Sequence, residues 1–269
     1  MDLLIDLAAW NVALFGAALF VMQLVVHEVG YRVGRRYAVS RDAPAEGVGV
    51  VTGAVLGLLA FVLALTLSFA NARFDERRAG TLAEANAIGT AWLRAKAIGQ
   101  PRGDEIARLL EEYAKARMAF VATGYGSPAL DDANRRSGEL QSVIWGHAAA
   151  IVREQADPVR ASLAASLNEV FDATTAVRFA FELQLPSQVF WLLIGLMALG
   201  MAMLGYQLGL RGQRVHVLAM LLTLTWTMVI VVILDLAWPR FGGIRTSVAA
   251  YEWTLQGFQD GVTVPPAPR

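Results

Sequence analysis

Four long apolar runs limit what this chain can fold into. Leu7–Val26, Val48–Ala70, Val189–Leu210 and Val215–Leu234 contain no aspartate, glutamate, lysine or arginine. Each is close to the roughly 20 residues that a helix needs to cross a hydrocarbon core. One such run can hide in the core of a soluble protein. Four of them in 269 residues cannot find enough protein to hide behind. The composition agrees, with 56% hydrophobic and only 17% charged residues, where a soluble domain carries about 25% charged. The expected fold class is an all-α integral membrane protein with four transmembrane helices, its obligatory partner the lipid bilayer.

The first run is expected to stay as a span. It opens with Asp2 and Asp6, without the basic leader and small-residue cleavage site of a signal peptide. With four spans, the loop bearing Arg32, Arg35, Arg36 and Arg41 shares one side with the turn bearing Arg211 and Arg214. Those short loops carry six arginines and the N-terminal flank none. The positive-inside rule therefore places the short loops in the cytoplasm of a bacterial inner membrane and the segment between spans two and three outside it. Arg73, Arg77, Arg78, Arg240 and Arg245 near the opposite membrane face count against that orientation.

Residues 71–187 hold 14 basic and 15 acidic residues, a soluble balance. Nothing breaks the second span at its end, so it is expected to continue as one helix to Gly99, a C-cap before Pro101. A helix over about 104–123 follows, with Ile106, Leu109, Leu110, Tyr113 and Ala116 at helical spacing. Ser127-Pro128 and Asp157-Pro158 are each a cap followed by a first-turn proline. The last of these helices runs to about Leu185, where Pro186 breaks the chain. Val248, Tyr251, Leu255, Phe258 and Val262 predict a short amphipathic helix, lying on the membrane or on the bundle. The organisation expected is a first span and loop (1–47), a second span (48–70), an extramembrane helical bundle (71–187), spans three and four (188–238), and a C-terminal helix with a tail (239–269).

Enzymatic chemistry finds little support. There are no cysteines, which excludes disulfides and thiolate ligands, and a net charge of zero gives no footprint for nucleic acid. His27-Glu28 begins a zinc-protease motif, but Tyr31 stands where the second histidine belongs. His27 and His216 are expected at the membrane surface. Gly47, Gly49 and Gly53 miss dinucleotide spacing and precede a span. Glu111-Glu112 and Asp131-Asp132 are helical neighbours whose side chains diverge. No catalytic residue, cofactor or metal site is expected.

Two constellations remain. Alternating four- and three-residue steps along the second helix give Gly57, Phe61, Ala64, Ser68, Asn71, Asp75, Arg78 and Leu82. Val55, Leu58, Val62, Leu65 and Phe69 form the other side, a lipid or core face. The small and polar stripe has two readings. One is close packing through Gly53 and Gly57, with Ser68 and Asn71 bonding across helices. The other is a pore lined by Gly57, Phe61, Ala64, Ser68 and Asn71, with Phe61 as constriction and charge at its mouth. The second constellation follows from topology, which brings the ends of spans two and four to one depth. Arg73, Asp75, Arg78, Asp235 and Arg240 then form an interfacial charge cluster or vestibule, with Glu84 and Asn86 further along either in it or in the bundle core. Asp235, an acid in the last turn of an apolar span, needs a partner, and Arg73 or Arg240 is expected to supply it.

These residues also carry a resemblance. Gly57-Leu58-Leu59-Ala60-Phe61, Ser68-Phe69-Ala70, Arg73-Phe74-Asp75-Glu76-Arg77-Arg78 and the run from Glu84 to Arg94 resemble a bacterial membrane family called bestrophin-like. So do Leu167-Asn168-Glu169, Gly205–Leu210, Leu234-Asp235 and Pro239-Arg240. The fourth span of that family usually ends in an Asp-Leu-Asp type motif. Here it reads Asp235-Leu236-Ala237-Trp238, without the second acid. The resemblance implies a homo-oligomeric ion channel, a pentamer in bestrophins, whose second span lines an anion pore. It also implies a cytoplasmic bundle, opposite to the arginine count. The alternative function is a non-conducting scaffold or sensor accessory whose bundle binds a ligand or partner.

Overall fold

The computed structural model describes residues 11–38, 45–99, 101–124, 126–155, 157–183, 185–240 and 242–262. The start of the first span before Asn11, Arg41, Tyr125, Gln184 and the 264–269 tail lie outside the described residues. All regular structure among the described residues is helical. The helices are α1 (Val12–Ala38), α2 (Ala45–Ile98), α3 (Pro101–Ala122), α4 (Pro128–Glu154), α5 (Pro158–Glu182), α6 (Ser187–Arg211), α7 (His216–Ala237) and α8 (Ala249–Gln259). Among the described residues, four helical stretches are long and apolar enough to cross a membrane, containing α1, α2, α6 and α7 in turn. The chain is a multi-pass membrane protein.

Local chemistry sets the helix ends. The Ser127 hydroxyl accepts from the Ala129 amide, and the Asp157 carboxylate from the Arg160 amide at 2.9 Å, each with proline at the first helical position. Gly99 follows α2 with φ +60°, where an L side chain is strained. Between its ends α2 meets no breaker and runs unbroken for 54 residues, about 80 Å at 1.5 Å per residue.

Contacts divide the chain into two units, residues 1–73 with 184–244 and residues 74–183 with 245–269. In the first unit α1 and α6 lie against each other backbone to backbone. A Cβ on Gly30 or Gly34 would fall 2.2 Å from the Ala202 or Tyr206 carbonyl oxygen. One on Gly205 or Gly209 would fall 2.1 or 2.3 Å from the His27 or Tyr31 oxygen. The contacts climb both helices together, so the pair is parallel. Small residues let helices approach this closely in lipid, where packing rather than hydrophobicity drives association. The glycines expected to do this, Gly53 and Gly57 on α2, have nothing within 4 Å of an added Cβ. Buried threonines satisfy their own hydroxyls locally. Thr52, Thr66 and Thr223 bond back to the carbonyls of Val48, Val62 and Ala219 on their own helices.

The second unit is a bundle with a continuous core. Ile88, Trp92, Ile106, Leu110, Tyr113, Ile144, Leu167 and Val170 are buried in it. The C-terminal stripe joins the same core through Val248, Tyr251, Leu255 and Phe258, while Val262 is exposed. Tyr251 and Phe258 are buried there, and Phe258 stacks on Trp92 at 4.6 Å. Of the two places open to this helix, the bundle is the one it occupies.

Candidate pore helix and polar clusters

The stripe read along α2 is exposed throughout. Gly57, Phe61, Ala64, Ser68, Asn71, Asp75, Arg78 and Leu82 are all exposed in the single chain, Phe61 at 66%. The buried edge of the membrane half is a third stripe, Thr52, Leu59, Leu63, Thr66 and Ala70. Leu58, Leu65 and Phe69, read as a lipid or core face, are exposed. So α2 uses one narrow edge within its own chain and leaves two faces open, one small and polar, one apolar.

Further along α2, the charges separate by environment. Asp75 and Arg78 line an open cleft of about 440 Å³ with Thr81, Leu82, Ser247 and Trp253. Ser247 and Trp253 stand far from α2 in sequence, and no local signal ties them to it. Asn86 is exposed. Glu84, grouped with the vestibule charges, lies instead in the bundle core at 0% exposure. Arg117 Nε donates to Glu84 Oε1 at 2.6 Å, the Thr174 hydroxyl donates to it at 2.7 Å, and the Tyr251 hydroxyl donates to Oε2. Tyr113 bonds Thr174 at 2.6 Å and accepts from Gln141 Nε2 at 2.8 Å. One carboxylate thus gathers α2, α3, α5 and α8, with α4 joined through Tyr113. The reason is charge. A buried carboxylate needs a cation and several donors, and Arg117, itself buried with its guanidinium 4.4 Å from the Phe120 ring centre, has the same need. Burial pushes the Tyr113 phenol up to about 12. Burial and the adjacent Glu84 charge push Tyr251 up as well.

Asp235 draws on the backbone. Its Oδ2 accepts the amides of Gly243 at 3.1 Å and Ile244 at 3.2 Å, donors that the sequence did not announce. The chain folds back after α7, and Gly242 makes the return possible. Its φ is +50°, and a Cβ there would fall 2.0 Å from Asp235 Oδ1. The acid therefore terminates a span by anchoring the turn that leaves it. His27 is only 7% exposed and packed within its unit, while His216 is exposed. Glu111 and Glu112 diverge, Glu111 accepting from Trp92 Nε1 at 3.1 Å and Glu112 from Arg136 at 2.6 Å.

Comparison with known proteins places this architecture. No curated protein matches the chain. A bacterial Bestrophin homolog from Klebsiella pneumoniae, solved by Zn-SAD phasing, superposes with a TM-score of 0.66 at 12% identity, covering 91% of this chain and 96% of that one. Two point variants of that homolog give TM-scores of 0.66 and 0.63 at 12% and 14% identity, covering 91% and 93% of this chain and 97% and 98% of theirs. At such identities the match shows a shared fold. The family model for the Bestrophin-like domain matches residues 17–251, most of the chain. The chain belongs to the Bestrophin-like family.

Proposed function

We propose that this chain is the subunit of a homo-oligomeric ion channel in a bacterial inner membrane, carrying anions or other small ions. The membrane half of α2 lines the pore through Gly57, Phe61, Ala64, Ser68 and Asn71. The observation that carries this reading is the unbroken exposed line on α2 from Gly57 to Leu82. Ser68 and Asn71 are poorly suited to lipid, and an axis filled with water is the environment that suits them. The second open face, with Leu58, Leu65 and Phe69, is then available to lipid or to a neighbouring copy. Family membership supports the same reading, and a pentamer is the stoichiometry it favours. Arg73, Asp75, Arg78, Asn86 and Arg240 are the charged and polar groups assigned to the pore mouth.

Phe61 is the bulkiest side chain of the line and its hydrophobic constriction. Phe61→Ala is expected to raise single-channel conductance severalfold in planar bilayers while oligomer size stays unchanged. A purified oligomer with no conductance, in both wild type and Phe61→Ala, would refute the channel reading and favour a scaffold. For orientation we carry forward the arginine count, with the bundle outside. Gly138→Cys, on the exposed side of α4, is expected to react with a membrane-impermeant maleimide added to intact cells, the chain having no other cysteine. Labelling only after lysis reverses the assignment.

A further inference from the structure

Among the described residues, two neighbouring polar atoms on α1 are buried in the span unit without a partner. Gln23 is 0% exposed and its Nε2 donates to Thr227 Oγ1 at 2.8 Å, joining α1 to α7. The Thr227 hydroxyl in turn donates to the Thr223 carbonyl at 2.8 Å. Gln23 Oε1 and His27 Nε2 are both buried, and neither has a hydrogen-bond partner. They lie one turn apart on α1, so the two side chains share a face. The position is fixed from behind, because Gly205 presses α6 onto the His27 carbonyl. Unsatisfied polar atoms are costly in a membrane interior, and an ionisable residue there marks a functional position. The two atoms are also complementary. An amide oxygen only accepts, whereas an imidazole nitrogen becomes a donor when it holds a proton.

We propose that Gln23 and His27 form an intramembrane proton-binding site, with a proton on His27 Nε2 held toward the Gln23 amide oxygen, directly or through one water molecule. The proton comes from and returns to solvent, and no other bond changes. Few charges compete. On α1 the titratable neighbours are Glu28, Tyr31 and Arg32, and Glu28 is tied to Arg32 at 2.7 Å. On α7 the neighbour is His216, and on the preceding turn Arg214, whose guanidinium reaches the Tyr31 hydroxyl at 3.3 Å. α6 carries no charged residue before Arg211, and α2 carries none from Gly47 to Ala72. Because the same Gln23 side chain bridges to Thr227, proton occupancy bears directly on the contact between α1 and α7. This site does not depend on the channel reading.

The test is histidine-selective ¹⁵N NMR of the full chain in lipid nanodiscs, with His27 assigned among the three histidines by His27→Asn. His27 is expected to titrate reversibly between about pH 4 and 9, as an imidazole open to proton exchange does. Gln23→Leu removes the acceptor and is expected to move the midpoint down by about one pH unit, and Gln23→Glu to move it up by at least about as much. Thr227→Val breaks the interhelical bond without touching the acceptor and is expected to leave the midpoint in place. A His27 ring whose shifts stay constant across the range overturns the proposal. So does a midpoint unmoved by whichever Gln23 variant folds, or one that Thr227→Val shifts as far as Gln23→Leu. Because the two Gln23 variants predict opposite shifts, either one that folds is decisive.

Discussion

The span unit and the bundle unit solve the problem of cohesion in opposite ways. The bundle buries large side chains around a charged centre, and Glu84 receives donors from Arg117, Thr174 and Tyr251. The span unit brings helices together by removing side chains, at Gly30, Gly34, Gly205 and Gly209. In water, burial of apolar surface drives association, and a polar centre fixes which helix sits where. Within lipid that drive is absent, and close backbone contact replaces it. The bundle is therefore closed upon itself, whereas the span unit leaves most of α2 uncovered.

The contrast breaks most readily at the bundle's centre. Glu84→Leu leaves Arg117 buried without a counter-charge, an expected loss of about 3–5 kcal/mol. Denaturant unfolding in detergent, followed by Trp92 and Trp145 fluorescence, measures it. The double substitution Glu84→Leu with Arg117→Met is expected to recover most of that loss, since the penalty lies in the unpaired charge. A double variant as unstable as the single one would mean that shape, and not charge, holds the centre.

A smaller effect tests the span unit. Gly205→Ala forces a methyl group onto the His27 carbonyl and is expected to cost about 1–3 kcal/mol. Gly53→Ala, with open space at its Cβ, is expected to leave thermal stability of the single chain unchanged. Equal losses for the two would show that α2 is packed as tightly as α1.

The smallest effect is read by pH. The Tyr113 phenol ionises near 10.0 when unfolded and at about 12 when folded. Its contribution to stability is complete below pH 10 and is lost as the pH rises from 10 to 12. Tyr113→Phe is expected to lower stability at neutral pH by about 1 kcal/mol through lost hydrogen bonds. It should also flatten the decline between pH 10 and 12, part of which Tyr251 still sustains. An unaltered alkaline slope would remove Tyr113 from the account.

Spans, caps and the continuity of α2 could be read from the chain because each depends on residues near one another in sequence. Ser127-Pro128 and Asp157-Pro158 announce their helices by themselves, and helical spacing alone puts the line from Gly57 to Leu82 on one face. What could not be read depends on partners far away. Glu84 meets Thr174 and Tyr251 across 90 and 167 residues, and nothing local distinguishes it from the exposed Asn86. Gly30-x-x-x-Gly34 and Gly205-x-x-x-Gly209 were present as spacings, but only their mutual register gives them meaning. Asp235 was recognised as needing a partner, and backbone amides, which every residue carries, leave no mark in a sequence.

The glycine contacts between α1 and α6 carry one more consequence. A joint made of main-chain atoms specifies shape without specifying chemistry. Four positions are forbidden to change, and in return the residues beside them, such as Val25, Val29, Val33 and Met203, answer only to what surrounds the helices. Such a fold can suit itself to different membranes by drifting in sequence, with its architecture left intact.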